Sequence, residues 1–377
     1  MNDAKDVLGS KKKDADIDLA TSLARVQRQF GKSPVTQSME VAKLAFGKQR
    51  ITAQEYFYYR LFDDERYSAE ATAEFLGKRV QPKYIRRCNQ LEWWGIAHDK
   101  LAFSAMLGGL GLTTPKILAV AHPFRVHGDI PVLQTAEALA AFLREGMSYP
   151  FFCKPVMGIF SQGVAAVSAH DPTEDRLILA GDRVVKVRDF CEEVFSQEDG
   201  YLFQEQLSPH PALRKMSGDG LSTIRMVVFL IDEGPELWRA LWKVIGAANV
   251  ADNFWREGNM LAAVDEETGE VTRVIRGLGL DQEEIESHPD TGQALLHAAL
   301  PDWVQARKLC LTAAASFPNL RLQAWDVALT DTGPTLIELN IGGDFNLPQL
   351  AHGRGMMDER FKDLLDSVSR KARAKKR

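Results

Sequence analysis

The stretch Gln323–Asn340 constrains the fold most, because it reads as two apolar strands joined by a short polar turn. Asp326 lies on the first strand, and Glu338 and Asn340 lie on the second. Side chains alternate between faces along a strand, so Glu338 and Asn340 share a face. A three-residue turn at 331–333 would place Asp326 opposite Glu338, at about 5 Å across the strand pair.

Two carboxylates at that separation repel each other unless a counter-charge lies nearby. Mg²⁺ is one candidate, because it binds carboxylate and amide oxygens together with phosphate oxygens. A neighbouring Arg or Lys would also neutralise the pair, and a one-residue slip in register would turn Asp326 to the other face. The hairpin therefore suggests a metal–nucleotide site but leaves a protein ion pair open.

Composition predicts a folded protein whose net charge does not attract nucleic acid. The chain has 377 residues, 45% of them hydrophobic, and a formal net charge of −5. Such a chain attracts neither nucleic acid nor an anionic membrane as a whole, so an anionic ligand needs a local cluster of cations. The longest apolar runs, such as Met226–Ile231, are far shorter than the roughly 20 residues of a membrane span, and none is expected.

The cysteines and the N-terminus indicate a cytoplasmic location. Cys88, Cys153, Cys191 and Cys310 are scattered without Cys-x-x-Cys spacing, which argues against a zinc site and a disulfide framework. The first residues include acids and no apolar core segment, so we expect no secretory signal.

Apolar spacing predicts an α+β protein with a helical N-terminal region at 1–95. Helices are also predicted at Thr135–Glu145 and Pro301–Phe317. Strands are predicted at Lys116–Val120, Phe151–Pro155, Tyr201–Leu207, Ser222–Ile231, Leu237–Ile245, Met260–Val264 and Val271–Ile275. Runs of strands with hairpins and separate helices favour this class over a doubly wound parallel sheet.

A lysine and a glycine-bearing loop follow one another at the end of a predicted strand. Lys154 closes the strand Phe151–Pro155, and Gly158, Ser161 and Gly163 follow it. Glycines let backbone N–H groups surround phosphate oxygens, and a lysine supplies a point charge. The spacing is not that of a Walker loop, and an ordinary glycine turn with a surface lysine explains it equally well.

Two further strands carry polar side chains into apolar surroundings. Gln204 and Glu205 need buried partners, which adenine, a helix terminus or a loop could supply. Arg225 is a cation in an apolar strand, so it must pair with the predicted metal-binding acids, with a transferred phosphoryl group, or in a structural salt bridge. The eight histidines show no metal-ligand spacing, and no nucleophile-elbow context surrounds a Ser or Cys.

These features occur in the order and approximate spacing of an ATP-grasp enzyme, and the ordered set is more specific than any member. The set comprises Asp99-Lys100, Lys154 with its glycine loop, Gln204 to Leu207, Arg225, Asp326 and Glu338-x-Asn340.

The chain also resembles one branch of that superfamily, the sugar-transfer-associated ATP-grasp proteins, from about residue 90 to 355. The resemblance is carried by Phe203 to Pro211, Leu221 to Arg225, Asp252-Asn253-Phe254, His288 to Gly292 with Pro301-Asp302-Trp303, and Trp325 to Asn340.

The resemblance implies two α+β subdomains that clasp ATP, at 96–200 and 201–377, the second with a basic tail. It implies that Lys100 and Lys154 hold the α- and β-phosphates and that the Gly158–Gly163 loop, with Ser161, closes over the β- and γ-phosphates. It implies an adenine slot lined by Gln204, Glu205 and Leu207, although Gln204 and Glu205 could exchange roles. Many members hold the ribose with an acid just after the adenine strand; Ser208 to Pro211 stand there, so this contact is unassigned.

The implied chemistry is carried by metal, cations and positioning rather than by a protein nucleophile. Asp326, Glu338 and Asn340 would bind one or two Mg²⁺ ions, or Mn²⁺, and Arg225 and Lys154 would be the catalytic residues. The implied function is a ligase that activates a substrate carboxylate as an acyl phosphate, which an amine then attacks, with a link to cell-surface glycan biosynthesis. Its partners would be small-molecule carboxylates and amines, and a homodimer is left open. The alternatives are a phosphotransferase acting on a hydroxyl and a non-catalytic ATP-binding partner of a transferase.

Overall fold

The computed structural model describes residues 17–157, 163–246, 249 and 251–374. The helices are α1 (Leu19–Phe30), α2 (Pro34–Phe46), α3 (Ala53–Tyr58), α4 (Ala69–Ala73), α5 (Gln81–Cys88), α6 (Trp94–His98), α7 (Lys100–Gly109), α8 (Ala136–Glu145), α9 (Val187–Phe195), α10 (Pro211–Ser217), α11 (Trp303–Ala315), α12 (Asn346–His352) and α13 (Glu359–Ala374).

The strands are β1 (Ile117–Ala121), β2 (Val132–Leu133), β3 (Phe151–Pro155), β4 (Ala165–Asp171), β5 (Arg176–Leu179), β6 (Arg183–Lys186), β7 (Tyr201–Glu205), β8 (Thr223–Leu230), β9 (Pro235–Val244), β10 (Met260–Val264), β11 (Val271–Arg276), β12 (Glu283–Glu284), β13 (Leu322–Thr330) and β14 (Gly333–Asn340).

The first compact unit comprises the described residues of Gly95–Ser208 with the short segment Thr335–Ile337. Its sheet has the strand order β2-β1-β7-β3-β4-β5-β6, with β1 and β2 parallel and β7 antiparallel to both β1 and β3. Helices α8 and α9 cover one face, where Leu143 of α8 and Phe190 of α9 share a buried cluster with Phe203 of β7. Each such side chain contributes roughly 1.5–3 kcal/mol through burial, so this face forms the core of the unit.

The second unit comprises the described residues of Asp14–Trp94, Pro209–Pro334 and Glu338–Arg377. Its sheet has the order β12-β11-β10-β9-β8-β13-β14, and β8 pairs antiparallel with both β9 and β13. The central strands read as nearly continuous apolar runs because both faces are covered, and every residue of β13 is buried. A charged residue in these strands is therefore buried and needs a partner.

The N-terminal helices are part of the second unit because their apolar faces pack on its sheet. Val26, Tyr56 and Phe57 share one buried cluster with Leu241 of β9 and Leu261 of β10. A capping box starts α3: Glu55 N–H donates to the Thr52 hydroxyl, and Thr52 N–H donates to the Glu55 carboxylate. This pairing satisfies two otherwise orphaned backbone donors, which explains why a six-residue helix forms here.

The structure confirms the predicted α+β class and the predicted helical N-terminal region. It also confirms the strands Phe151–Pro155 and Met260–Val264 to the residue. The predicted strand Tyr201–Leu207 is too long: β7 ends at Glu205, because its partner β3 begins at Phe151, directly opposite. The boundaries predicted at 95/96 and 200/201 stay predictions.

The hairpin between β13 and β14 has a shorter turn than predicted. Gly333 is the first residue of β14, so the turn consists of Asp331 and Thr332. The Thr330 hydroxyl closes it, accepting from Thr332 N–H and donating to Gly333 O at 2.7 Å. Gly333 has φ 110, a conformation that a residue with a Cβ rarely adopts.

Three strands and a helix between residues 165 and 195 were not predicted. Strands β5 and β6 have only four residues each, and three of the four in β6 are exposed, so the hydrophobic signal of each strand is short. They form because each pairs with its sequence neighbour, and α9 then covers the sheet.

No helix in the described part of the chain combines the length and apolarity that crossing a bilayer requires.

Candidate nucleotide and metal site

Three adjacent strands of the second sheet bring buried charges to one face. Arg225 of β8 pairs in register with Asp326 of β13 on one side and with Leu241 of β9 on the other. Paired residues of antiparallel strands share a face, and Lys243 lies two residues beyond Leu241, so all three charged side chains lie on the same face. The sheet register therefore creates a charged group inside an apolar layer.

Asp326 is the centre of this group and is bound by both cations. Arg225 Nε donates to Asp326 Oδ1 and Arg225 Nη2 to Oδ2, each at 2.8 Å, which makes the pair bidentate. Lys243 Nζ donates to Asp326 Oδ2 at 3.1 Å. The planar guanidinium matches a carboxylate in this geometry, so the arginine is fixed in orientation as well as in charge.

Asp252 joins the group from the loop that follows β9. Its Oδ2 accepts from both the N–H and the hydroxyl of Thr223, at 2.8 and 2.6 Å. Its Oδ1 accepts from Lys243 Nζ at 3.4 Å. We call Arg225, Lys243, Asp252 and Asp326 the ion cluster; Asp252 ties the loop to the start of β8 and shares Lys243 with Asp326.

Partner charges outweigh burial in setting the pKa values of Arg225, Lys243 and Asp326. Burial would lower the pKa of Arg225 and of Lys243, but Asp326 raises the first and Asp252 with Asp326 raises the second. Burial would likewise raise the pKa of Asp326, but Arg225 and Lys243 hold it well below its usual range. All three groups therefore stay ionised at neutral pH.

The return strand β14 brings two oxygen-bearing side chains to the cluster. Asn340 Nδ2 donates to Asp326 Oδ2 at 3.3 Å and to Glu338 Oε1 at 2.9 Å. Glu338 and Asn340 are both half-buried and lie on one face, as strand alternation predicts. The structure thus places all three predicted metal ligands and Arg225 in one hydrogen-bonded network.

The predicted phosphate-binding lysines lie in the first unit. Lys154 is buried on β3 opposite Leu202 of β7. Lys100 is the first residue of α7, and its Nζ lies 3.4 Å from Val156 O, just beyond β3. Both lysines are therefore at the start of the predicted glycine loop; Gly158 and Ser161 lie outside the described residues. Gly163 has φ 68, and its carbonyl accepts from Tyr201 Oη at 3.0 Å.

Of the three residues predicted to bind adenine, Gln204 and Glu205 lie in β7 and Leu207 lies beyond it. Gln204 is buried and pairs with Phe152 of β3, so it shares with Lys154 the face of the sheet that carries Leu202. Glu205, the next residue, is on the opposite face by strand alternation. Its Oε1 accepts a hydrogen bond from Lys116 N–H at 2.8 Å.

A protein-family model identifies the family to which these elements belong. The model described as "sugar-transfer associated ATP-grasp" matches residues 79–363, well over half of the chain. The chain belongs to this family. The resemblance inferred from sequence motifs is thereby confirmed, and the two α+β units with N-terminal helices form an ATP-grasp fold.

Solved ATP-grasp ligases are similar to the chain at low identity. The ligase PsnB, solved with a minimal precursor, is 17% identical with a TM-score of 0.38, over 74% of this chain and 62% of PsnB. D-alanine–D-alanine ligase from Bacillus anthracis, solved with ATP, is 14% identical with a TM-score of 0.40, over 76% of this chain and 71% of the ligase. The chain thus spans less than two thirds of PsnB. A search of curated protein sequences gave no match.

ATP-grasp enzymes generally use Mg²⁺ with ATP, and two of the three predicted ligands have oxygens that fit such an ion. Glu338 Oε2 and Asn340 Oδ1 make no hydrogen bond to the described residues and are the oxygen types that Mg²⁺ binds. Asp326 fits less well, since Arg225, Lys243 and Asn340 already bind its oxygens. Across the described residues, no group of three or more His, Cys, Asp and Glu side chains forms a metal site by itself.

Two residues of the ion cluster were missed by sequence reasoning. Lys243 interrupts an apolar strand just as Arg225 does, so the signal that singled out Arg225 applies to it equally. Asp252 was noted only as part of a family motif, since its partners Thr223 and Lys243 are identified only by the folded loop.

Proposed function

We propose that this ATP-grasp protein is a Mg²⁺- and ATP-dependent ligase that converts a substrate carboxylate to an acyl phosphate, which an amine then attacks. The observation that carries the proposal is the ion cluster beside Glu338 and Asn340. Arg225 and Lys243 have N–H donors left over to bind phosphate oxygens. Glu338 and Asn340 have oxygen lone pairs left over to bind a metal ion that accompanies the phosphate.

Arg225 would face the transferred phosphoryl group. Asp326 holds Nε and Nη2 of the guanidinium, and Nη1 makes no hydrogen bond within the described residues. The bidentate pair therefore fixes Nη1 in direction, so that its N–H groups can bind an oxygen that gains charge during transfer. Fixed donors of this kind stabilise a transition state without reorganising when the reaction occurs.

Lys243 would add a second positive charge at the same place. Two of its three ammonium donors bind Asp252 and Asp326, which leaves the third for an anionic oxygen. We propose it as a catalytic residue alongside Arg225 and Lys154.

Glu338 and Asn340 would hold Mg²⁺, with Asp326 as a third ligand if it releases Lys243 or Asn340. The ion, when bound, neutralises negative charge on the phosphate oxygens. Lys100 and Lys154 with the Gly158–Gly163 loop would bind the phosphates, and Gln204, Glu205 and Leu207 the adenine. The description of the family as sugar-transfer associated supports a role in cell-surface glycan biosynthesis.

The test measures ADP formation with ATP and Mg²⁺ in the presence of carboxylates, with and without an amine. Hydroxylamine serves as the amine, because it converts an acyl phosphate to a hydroxamate that can be detected directly. We expect Glu338→Ala to abolish Mg²⁺-dependent turnover while the protein stays folded. Asp331→Ala is the matched control, since this exposed acid lies in the turn of the same hairpin.

Other outcomes would redirect the assignment. A stable phosphorylated product that forms without an amine would support the phosphotransferase. Nucleotide binding without turnover of any substrate would support a non-catalytic partner. Unchanged turnover in Glu338→Ala would refute the metal assignment.

A further inference from the structure

Asp252 is held in the ion cluster by a loop whose next three residues are each fixed by other contacts. Asn253 O accepts from Nδ2 of buried Asn259 at 2.7 Å. Phe254 is buried in the cluster that the N-terminal helices form with β9 and β10. Trp255 is half-buried and packs against the same cluster. The position of Asp252 therefore depends on side chains that lie outside the ion cluster.

Trp255 joins this loop to the segment that connects β14 to α12. Its Nε1 donates to Asp344 Oδ2 at 3.3 Å. The other oxygen, Asp344 Oδ1, accepts from Asn346 N–H at the start of α12, at 3.0 Å. The carboxylate is thus held between an indole N–H and a backbone N–H. Its charge reaches the ion cluster: burial disfavours the charge of Arg225, Asp326 raises its pKa most, and Asp344 adds to that increase.

A helix outside the segment matched by the family model supports the Trp255 ring. Tyr58 is the last residue of α3. The centres of the Tyr58 and Trp255 rings lie 5.5 Å apart, with the planes tilted by 48°. This separation is typical of favourable aromatic pairs. The family match begins only at residue 79, so a residue that precedes it contacts the indole that binds Asp344.

We propose that Trp255 is a positioning residue for the reaction and that Tyr58 supports it from the N-terminal helices. The indole N–H keeps the Asp344 carboxylate beside the loop that carries Asp252, so the charges in and around the ion cluster stay in fixed places. Fixed charges stabilise a transition state without reorganising when the reaction occurs. The role in turnover rests on the proposed ligase function, whereas the link between the two segments rests on the contacts alone.

The test compares four variants of the full chain. Trp255→Phe removes the indole N–H and keeps a ring against Tyr58. Tyr58→Leu removes the supporting ring, and Tyr58→Phe keeps it. Trp303→Phe is the matched control, because Trp303 Nε1 also donates at 3.3 Å, to Glu266 O. Glu266 lies in the turn that follows β10, whereas the loop with Trp255 precedes β10, so the control bond lies at the opposite end of that strand.

Backbone hydrogen exchange, followed by mass spectrometry, measures the link without catalysis. Trp255→Phe and Tyr58→Leu should raise the exchange rate in the segment 341–347 by roughly threefold or more, the factor that corresponds to the net contribution of one hydrogen bond. Peptides from β13 should exchange as in the wild type, and Trp303→Phe should leave the segment 341–347 unchanged. A wild-type rate in that segment of Trp255→Phe, or an equal increase in Trp303→Phe, would overturn the link.

Steady-state turnover with ATP and Mg²⁺ measures the role in the reaction. Trp255→Phe and Tyr58→Leu should lower kcat by roughly tenfold while KM for ATP stays within about twofold, because small displacements weaken transition-state stabilisation more than nucleotide binding. Tyr58→Phe should retain most of the wild-type kcat, and Trp303→Phe should retain all of it. An unchanged kcat in Trp255→Phe, or an equal loss in Trp303→Phe, would overturn the positioning role.

The two measurements separate failure of this proposal from failure of the proposed function. If the wild type turns over ATP and neither exchange nor kcat responds to Trp255→Phe, the ligase proposal stands and the role of Trp255 is wrong. If exchange responds as expected but no substrate supports turnover by the wild type, the ligase proposal is wrong and so is the role in turnover. The link between the N-terminal helices and the segment after β14 would then stand as a property of the fold.

Discussion

Two buried arginines on neighbouring strands of the second sheet have opposite surroundings. Arg225 on β8 faces a carboxylate that binds it through two hydrogen bonds of 2.8 Å. Arg239 on β9 stacks 4.1 Å from the centre of the Trp238 ring and donates to Arg354 O and Gly355 O at 3.2 and 2.5 Å. The first arginine is bound by charge, and the second mainly by backbone carbonyls.

The pKa values of these two side chains shift in opposite directions. Burial, with a contribution from Arg354, lowers the pKa of Arg239 to about 10, although Asp358 opposes the shift. Burial also disfavours the charge of Arg225, but Asp326 reverses the sign and raises its pKa. The charge of Arg239 is therefore disfavoured by its surroundings, although its hydrogen bonds anchor the turn before α13. The charge of Arg225 is stabilised by its neighbours. Burial of an arginine does not by itself indicate a functional site. The groups that accept its hydrogen bonds distinguish the two arginines.

The largest effect should follow from Asp326→Asn. The substitution leaves Arg225 and Lys243 as two like charges in a buried layer, and breaking a buried pair in this way costs about 3–5 kcal/mol. Mg²⁺-dependent ATP turnover should also be lost, because Arg225 is no longer held in direction. Urea unfolding measures the first effect, and ADP formation measures the second.

The double variant Arg225→Met with Asp326→Leu separates stability from function. Replacing both partners by apolar side chains is often nearly neutral, so most of the lost stability should return while turnover stays absent. A double variant as unstable as Asp326→Asn would show that the cluster is structural, like the anchor at Arg239.

Much of the fold could be predicted, because its signals are local. Hydrophobic runs and turn residues placed Phe151–Pro155 and Met260–Val264 correctly. The end of β7 could not be placed, since it depends on where β3 begins. The turn at Asp331 and Thr332 depends on hydrogen bonds of Thr330 and on the conformation of Gly333, neither of which periodicity encodes.

The sequence identified most residues of the candidate site but not the hydrogen bonds and ion pairs that join them. A lone cation in an apolar strand indicated that Arg225 needs a partner, and alternation placed Glu338 and Asn340 on one face. The partner of Arg225 and the contribution of Asp252 depend on which strands lie side by side, and several registers satisfy the same sequence pattern. The metal role of Asp326 stays a prediction, because Arg225, Lys243 and Asn340 already bind its oxygens.

An intermediate effect on stability, and none on turnover, is expected for Arg239→Met. The variant loses hydrogen bonds from a charged donor to the carbonyls of Arg354 and Gly355, which should cost about 1–3 kcal/mol. The cost should be smaller than that of Asp326→Asn, because the native charge is already disfavoured by burial. Urea unfolding and turnover per folded molecule check the two statements. A loss of turnover at full folding would show that the anchor is coupled to the site and would remove the contrast with Arg225.

The smallest effects on stability should come from the partly exposed acids that accompany each buried cation. The Asp252 side chain is 14% exposed beside Lys243, and the Asp358 side chain is 29% exposed beside Arg239. Asp358→Asn should cost about 1 kcal/mol or less, with turnover unchanged, because partly exposed ion pairs contribute little to stability.

Asp252→Asn should have a similar cost in stability but should reduce turnover by roughly tenfold or more, because a misdirected charge weakens transition-state stabilisation. Lys243 would then pair with Asp326 alone, and Thr223 would lose its charged acceptor. Asp252→Glu, which keeps the charge, should retain more activity than Asp252→Asn. Matched effects of Asp252→Asn and Asp358→Asn on both measurements would mean that the two cations are held for the same structural purpose, and the distinction drawn from their acceptors would fail.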